Sequence, residues 1–233
     1  MSDPKILVAL DYNDKNQALA LVEQLTPKLC GLKVGKEMFT LFGPEFVKEL
    51  VAKDYNVFLD LKFHDIPNTV AKACQAAADL GVWMVNVHAS GGRVMMEKAR
   101  EAIQKCDNKP MLIAVTMLTS MDEHAFSELG YERDLAAQVS LLAKMTLDSG
   151  LDGVVCSSWE AERLKQECGS QFRLVTPGIR PEGSDKGDQS RIMTPAEALK
   201  AGSDFLVIGR PITKADDPYQ SLCDISDSIV SHL

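Results

Sequence analysis

The chain has 233 residues, 45% of them hydrophobic and 25% charged, enough apolar material for a sizeable core in one large α/β domain or two small ones. Its net charge of −8 excludes a sequence-independent nucleic-acid binder, which needs a basic face, while leaving room for a local basic pocket. No apolar run approaches the ~20 residues of a membrane span, and the opening M-S-D-P-K-I-L-V-A-L-D has neither the apolar length nor the cleavage site of a signal peptide.

Ile6–Leu10 is the first β-type run, followed by Lys15–Leu25, where Ala18, Leu19, Val22 and Leu25 share a helical face. Leu32–Val34 and Val57–Leu61 are the next strands. Thr69–Leu80 is alanine-rich and reads as a helix closed by Gly81 at C′. Trp83–Val87, Leu112–Val115 and Gly153–Cys156 continue the strand series. Ser157–Glu160 then fits a capping box, and so does Thr194–Glu197, with Pro195 at the first helical position. Arg173–Val175 and Phe205–Ile208 complete the strands. Several of these runs are almost continuously apolar, as parallel strands covered on both faces must be. Eight strands alternating with helices predict a single (β/α)8 TIM barrel over residues 1–233, in the α/β class. A doubly wound open sheet is the alternative, weakened because no G-x-G-x-x-G follows the first strand.

Active sites of such barrels form at the C-terminal strand ends. Those positions hold Asp11, Lys33, Asp60 with Lys62, His88, Thr119, Ser157, Thr176-Pro177-Gly178 and Gly209-Arg210. The segment F-L-D-L-K-F-H-D (58–65) is the most specific of them. Residues i and i+2 of a strand share a face, so Asp60 and Lys62 point together into the barrel mouth. Leu59, Leu61 and Phe63 face the helices. Lys33 on the neighbouring strand joins the cluster, and Asp65 follows three residues after Lys62. A buried ion pair that merely fixes local geometry is the plain alternative. A lysine between carboxylates is otherwise held in its charged form, which suits it to donate a proton or to stabilise developing negative charge. A fixed carboxylate beside it would repel an anionic substrate group, a repulsion relieved when that group departs as neutral CO₂.

The loops after strands seven and eight are the usual phosphate site of this fold. Residues 175–191 form a long polar segment rich in Gly and Pro, with Arg180 and Gln189 available to close over a ligand. Gly209 would admit a phosphate to the backbone amides, and Arg210 would add a forked charge-assisted contact. Six scattered cysteines without a C-x-x-C pair read as reduced core residues of a cytoplasmic protein. His64 and His88 with Asp60 and Asp65 offer metal ligands on paper, but the lysines oppose a cation and no metal is expected.

These residues lie within longer motifs: V-A-L-D (8–11), L-K-V-G-K-E-M-F-T (32–40), D-L-K-F-H-D-I-P-N-T (60–69), V-N-V-H-A-S-G-G (85–92), L-T-S-M (118–121), V-T-P-G-I-R-P (175–181), G-D-Q-S-R (187–191) and V-I-G-R-P (207–211). Together they resemble the bacterial orotidine 5′-phosphate decarboxylases over nearly the whole chain. D-x-K-x-x-D alone marks a wider group of phosphosugar barrels. The resemblance implies decarboxylation of orotidine 5′-phosphate to uridine 5′-phosphate without a cofactor. It makes Lys62 the proton donor, Asp60 the carboxylate beside the leaving group, Lys33 a ribose contact that completes the alternating charges, and Asp11 the ligand of a ribose hydroxyl. Thr119 corresponds to the pyrimidine contact, Arg180 to a residue of the closing loop, and Gln189, Gly209 and Arg210 to the phosphate grip. Asp65, Ile66 and Thr69 match substrate-site residues, and Asp65 and Thr69 those that reach into the partner's site of a homodimer. Other readings are a related phosphosugar barrel dependent on Mg²⁺ and a non-catalytic nucleotide-binding protein.

Overall fold

The computed structural model describes residues 3–181 and 192–230. Eight parallel strands close into a barrel in sequence order: β1 (Ile6–Leu10), β2 (Cys30–Gly35), β3 (Val57–Phe63), β4 (Met84–His88), β5 (Met111–Val115), β6 (Gly153–Val155), β7 (Arg173–Thr176) and β8 (Phe205–Ile208). Strand β8 pairs back onto β1 through Ile6↔Leu206 and Val8↔Ile208, which removes both sheet edges. The helices are α1 (Lys15–Val22), α2 (Lys36–Val51), α3 (Pro67–Asp79), α4 (Arg93–Gln104), α5 (Glu123–Glu128), α6 (Leu135–Asp148), α7 (Ala161–Cys168), α8 (Pro195–Lys200), α9 (Arg210–Thr213) and α10 (Pro218–Val230). Every expected strand forms, and the first and last keep their expected limits.

Strand parity sorts the core into two bodies. One set of residues packs between strands and helices, with Val8, Leu32, Val34, Leu59, Val85 and Leu112 among its members. The opposite set fills the barrel interior, where Leu7, Ala9, Phe58, Met84, Ile113, Val175, Phe205 and Val207 meet. Each strand is therefore buried on both faces, which explains its nearly continuous apolar sequence. Gly31 sits on the inner set, where an added Cβ would lie 2.7 Å from the Asn56 carbonyl oxygen and 2.9 Å from a Leu7 methyl. No larger residue fits there.

Local signals place the helices. Ser157 and Thr194 both form complete capping boxes, with Glu160 and Glu197 returning to the cap amides. The first of these starts a 3₁₀ turn, Ser158–Glu160, that leads into α7. Helix α1 is shorter than its apolar face suggests and stops at Val22, followed by a turn. Pro67 begins α3 two residues ahead of the expected start, and Gly81 follows it with φ of 82°.

The cysteines are all free thiols, four of them buried. Burial pushes the Cys30 and Cys74 thiols up to about 12, so they pack as small apolar groups. Among the described residues no helix is long and apolar enough to cross a membrane.

Candidate active site

Above the inner core layer the inward-facing residues turn from apolar to polar. Ala9 leads to Asp11, Phe58 to Asp60 and Lys62, and Val207 to Gly209, all lining one cavity of about 530 Å³ at the C-terminal strand ends. Met117, Leu118 and Thr119 border it after β5, Pro177, Gly178 and Arg180 after β7, and Arg210 after β8.

Asp60 is the centre of the polar array. It is only 8% exposed. One of its oxygens, Oδ1, accepts hydrogen bonds from Lys62 Nζ at 2.6 Å and from Asn86 Nδ2 at 2.7 Å. The other, Oδ2, lies 3.6 Å from Lys33 Nζ, which is itself 3.6 Å from Asp11. Carboxylates and ammonium groups thus alternate in the order Asp11, Lys33, Asp60, Lys62. Burial pushes the Asp60 carboxyl up, but the charges of Lys33 and Lys62 and the hydrogen bonds from Lys62 and Asn86 outweigh it. The net pKa is below the ordinary carboxylate value, so Asp60 is an anion at neutral pH.

The strand carrying this pair is not regular. A step of four positions along β3, from Leu59 to Phe63, matches a step of only two along β4, from Val85 to Val87. Within this bulge Lys62 takes φ of 54°, a left-handed conformation that a side chain normally avoids. Asp60 and Lys62 still face the cavity and Leu59, Leu61 and Phe63 still pack outward, as alternation predicts.

Three expected site residues lie elsewhere. Asp65, Ile66 and Thr69 follow the end of β3, are exposed, and do not line the cavity of their own chain. The Asp65 carboxylate accepts from the Ile66 amide at 2.6 Å, while the Ile66 side chain is 67% exposed just before α3. Gln189 lies outside the described residues. Arg180 is buried, its Nη1 donating to the Ile179 carbonyl at 2.9 Å and its amide to Met193 at 3.0 Å. The bond to Met193, beside the Ile179↔Met193 bridge, ties residue 180 to the chain that leads into α8.

Three further residues belong to the site although their motifs alone do not single them out. Lys214 lines the cavity four residues after Arg210, one helical turn onward on the same side. It stands 5.4 Å from the centre of the Tyr12 ring, and Tyr12 donates to the Thr213 carbonyl at 3.0 Å, tying the end of β1 to α9. Asn86 is the third. The alternation Met84, Asn86, His88 shows that it faces inward, and an inward amide requires partners.

His88 stacks on His64 with ring centres 5.4 Å apart. Burial first, then the neighbouring His64, Lys36 and Lys62, push the His88 pKa down to about 4, with Asp60 opposing. A neutral imidazole of this kind ligates metals readily, yet among the described residues no group of three or more His, Cys, Asp or Glu side chains is placed to hold one.

Known proteins are similar to this chain in sequence and fold over their full length. The family model described as "Orotidine 5'-phosphate decarboxylase / HUMPS family" matches residues 4–225. Orotidine 5′-phosphate decarboxylase of Psychromonas ingrahamii is 65% identical over 229 residues, covering 98% of each chain. That of Vibrio parahaemolyticus is 58% identical over 232 residues, 99% of this chain and all of the relative. A crystal structure of orotidine 5′-phosphate decarboxylase from Lactobacillus acidophilus superposes with a TM-score of 0.88 at 38% identity, over 98% of this chain and 99% of the other. The barrel and the full-length similarity agree: the chain belongs to the orotidine 5′-phosphate decarboxylase / HUMPS family.

Proposed function

We propose how this chain converts orotidine 5′-phosphate to uridine 5′-phosphate and CO₂, with Asp11, Lys33, Asp60 and Lys62 as its working array. The carboxylate-bearing ring carbon sits beside Asp60 and Lys62. As the C–C bond breaks, CO₂ leaves and the electron pair stays on the ring carbon. Lys62 then transfers a proton from Nζ, forming the new C–H bond, and water restores the ammonium. Asp60 is already ionised, so it disfavours the substrate's carboxylate and not the neutral CO₂ that departs. The fixed ammonium groups favour the charge developing on carbon. The alternating contacts from Asp11 through Lys62 carry this reading, because they pre-organise those charges before substrate arrives.

At the other end of the cavity Gly209 and Arg210 hold the 5′-phosphate together with Gln189, which lies outside the described residues, and Arg180 binds the substrate from the segment after β7. Asp11 and Lys33 bind the ribose, and Thr119 the pyrimidine. Asp65 and Thr69 serve the partner's site in a homodimer, and Ile66 binds substrate beside them. The support is their exposure beside α3 in the single chain, including a large apolar side chain with no cover of its own. Six free thiols suit a cytoplasmic setting. No step requires a cofactor. Purified protein mixed with orotidine 5′-phosphate in the presence of a chelator should release CO₂ and form uridine 5′-phosphate; a folded sample that turns over nothing unless Mg²⁺ and a sugar phosphate are supplied would reject this assignment.

A further inference from the structure

Asn86 lies at the middle of β4 with no solvent exposure. Its amide makes two different bonds to the same short stretch of β3. Oδ1 accepts from the Lys62 backbone amide at 2.8 Å, and Nδ2 donates to Asp60 Oδ1 at 2.7 Å. The Lys62 amide needs such a partner because the β3 bulge interrupts the ladder to β4 at this point. A side chain has replaced a main-chain acceptor, and it does so where Lys62 adopts positive φ.

We propose that Asn86 is a positioning residue for the decarboxylation, clamping the Asp60 carboxylate and the Lys62 main chain into one geometry. The donor half of the amide selects which Asp60 oxygen meets Lys62, since Nδ2 and Lys62 Nζ converge on Oδ1. That choice turns Oδ2 toward Lys33. The acceptor half holds the strained residue from which the proton donor projects. A buried amide with no bearing on the chemistry would instead stabilise the barrel and leave the ratio of chemistry to binding alone. The inference rests on the roles given above to Asp60 and Lys62.

Two substitutions separate these roles. Asn86→Leu keeps the approximate volume and removes both bonds. Asn86→Asp keeps the acceptor for the Lys62 amide and exchanges the donor for a carboxyl, which donates only when protonated. Around that carboxyl stand Asp60 and Lys62 from β3, Lys33 from β2 and His88 on its own strand, with apolar Ile113 opposite on β5. The folded Asn86→Leu protein should lose about tenfold to a hundredfold in kcat while its KM and its affinity for uridine 5′-phosphate change less than about threefold. The Asn86→Asp protein should recover relative to the parent as the pH is lowered from about 8 to about 5, as the new carboxyl becomes a donor. An unchanged kcat in Asn86→Leu, or a parallel loss of kcat and nucleotide affinity, overturns the proposal. So does an Asn86→Asp activity that stays a constant fraction of the parent's at every pH, and this result decides alone if Asn86→Leu does not fold. Lys62→Ala, assayed alongside, keeps the two readings apart: normal turnover there rejects the catalytic roles, whereas its collapse beside active Asn86 variants rejects only the clamp.

Discussion

Asp60 and Lys62 are two residues apart in sequence and 2.6 Å apart in space, joined across a bulged strand on which Lys62 has φ of 54°. A regular strand would set both side chains on one face, but its ladder would give the Lys62 amide a main-chain partner on β4; at the bulge the Asn86 side chain accepts it instead. The left-handed residue costs about 1–3 kcal/mol, a strain characteristic of sites where geometry matters more than local comfort.

If Lys62 is the proton donor, Lys62→Ala should lower kcat by at least about 10²-fold, the least that a positioned general acid contributes. Affinity for uridine 5′-phosphate should persist, because the phosphate end of the cavity is untouched. Titration of the nucleotide together with steady-state kinetics checks both halves. Near-normal turnover in the folded variant would remove Lys62 from the mechanism.

Arg210 lines the cavity where β8 gives way to α9. Arg210→Ala should weaken uridine 5′-phosphate binding about tenfold to a hundredfold, the range for losing one charge-assisted hydrogen bond. Uridine, which has no phosphate, should bind both proteins alike. Calorimetric comparison of the two ligands provides the measurement, and an equal loss for both would move the phosphate elsewhere.

The dimer reading makes a prediction that no single chain can satisfy. Asp65→Ala and Lys62→Ala should each be nearly inactive alone. Unfolded together and refolded, they should form mixed dimers in which one site has Lys62 from one chain and Asp65 from the other. Random pairing would restore about a quarter of parental activity. A mixture no more active than its components would place Asp65 outside a shared site.

His88 predicts a pH dependence of stability. Its folded pKa is about 4, against an ordinary 6.5, chiefly through burial. As pH falls through this window the unfolded chain takes up the proton before the folded one does, so stability declines from about pH 6.5 to about pH 4. Asp60 acts in the opposite region: its lowered pKa contributes stability that is lost only as pH falls below the ordinary carboxylate value near 3.8. His88→Asn should therefore flatten the denaturation midpoint against pH between 4 and 6.5 and spare the more acidic fall. A parental curve already flat across that interval would contradict the assignment.

Much of this molecule is legible without coordinates, and for specific reasons. Ile6–Leu10 and Phe205–Ile208 are apolar on both beats because the barrel buries both strand faces. Thr194 and Glu197 mark a helix start because each satisfies the other's exposed amide within four residues. Asp60 and Lys62 are found by parity alone. Lys214 and Tyr12 are not, since their contact joins the first strand to the turn after the last. Asn86 escaped for a similar reason: its two bonds reach residues 24 and 26 positions earlier in the chain.

By itself, then, the sequence determined the eight strands, their inward and outward faces, and the charged residues at their ends, because alternation and capping act over a few neighbouring residues. Its longer motifs also sufficed for the family resemblance. Only the tertiary structure decided how those ends meet. Closure of β8 onto β1 brings Arg210 and Lys214 to the cavity that Asp11 borders, and the β3 bulge lets an amide from β4 bind both members of the central ion pair. It also separates Asp65 from Lys62, three residues away in sequence: the lysine borders the cavity and the carboxylate stands outside it. Strand register and bulge geometry depend on pairing between distant segments, so a local pattern specifies the parts of this site and the closed barrel specifies their contacts.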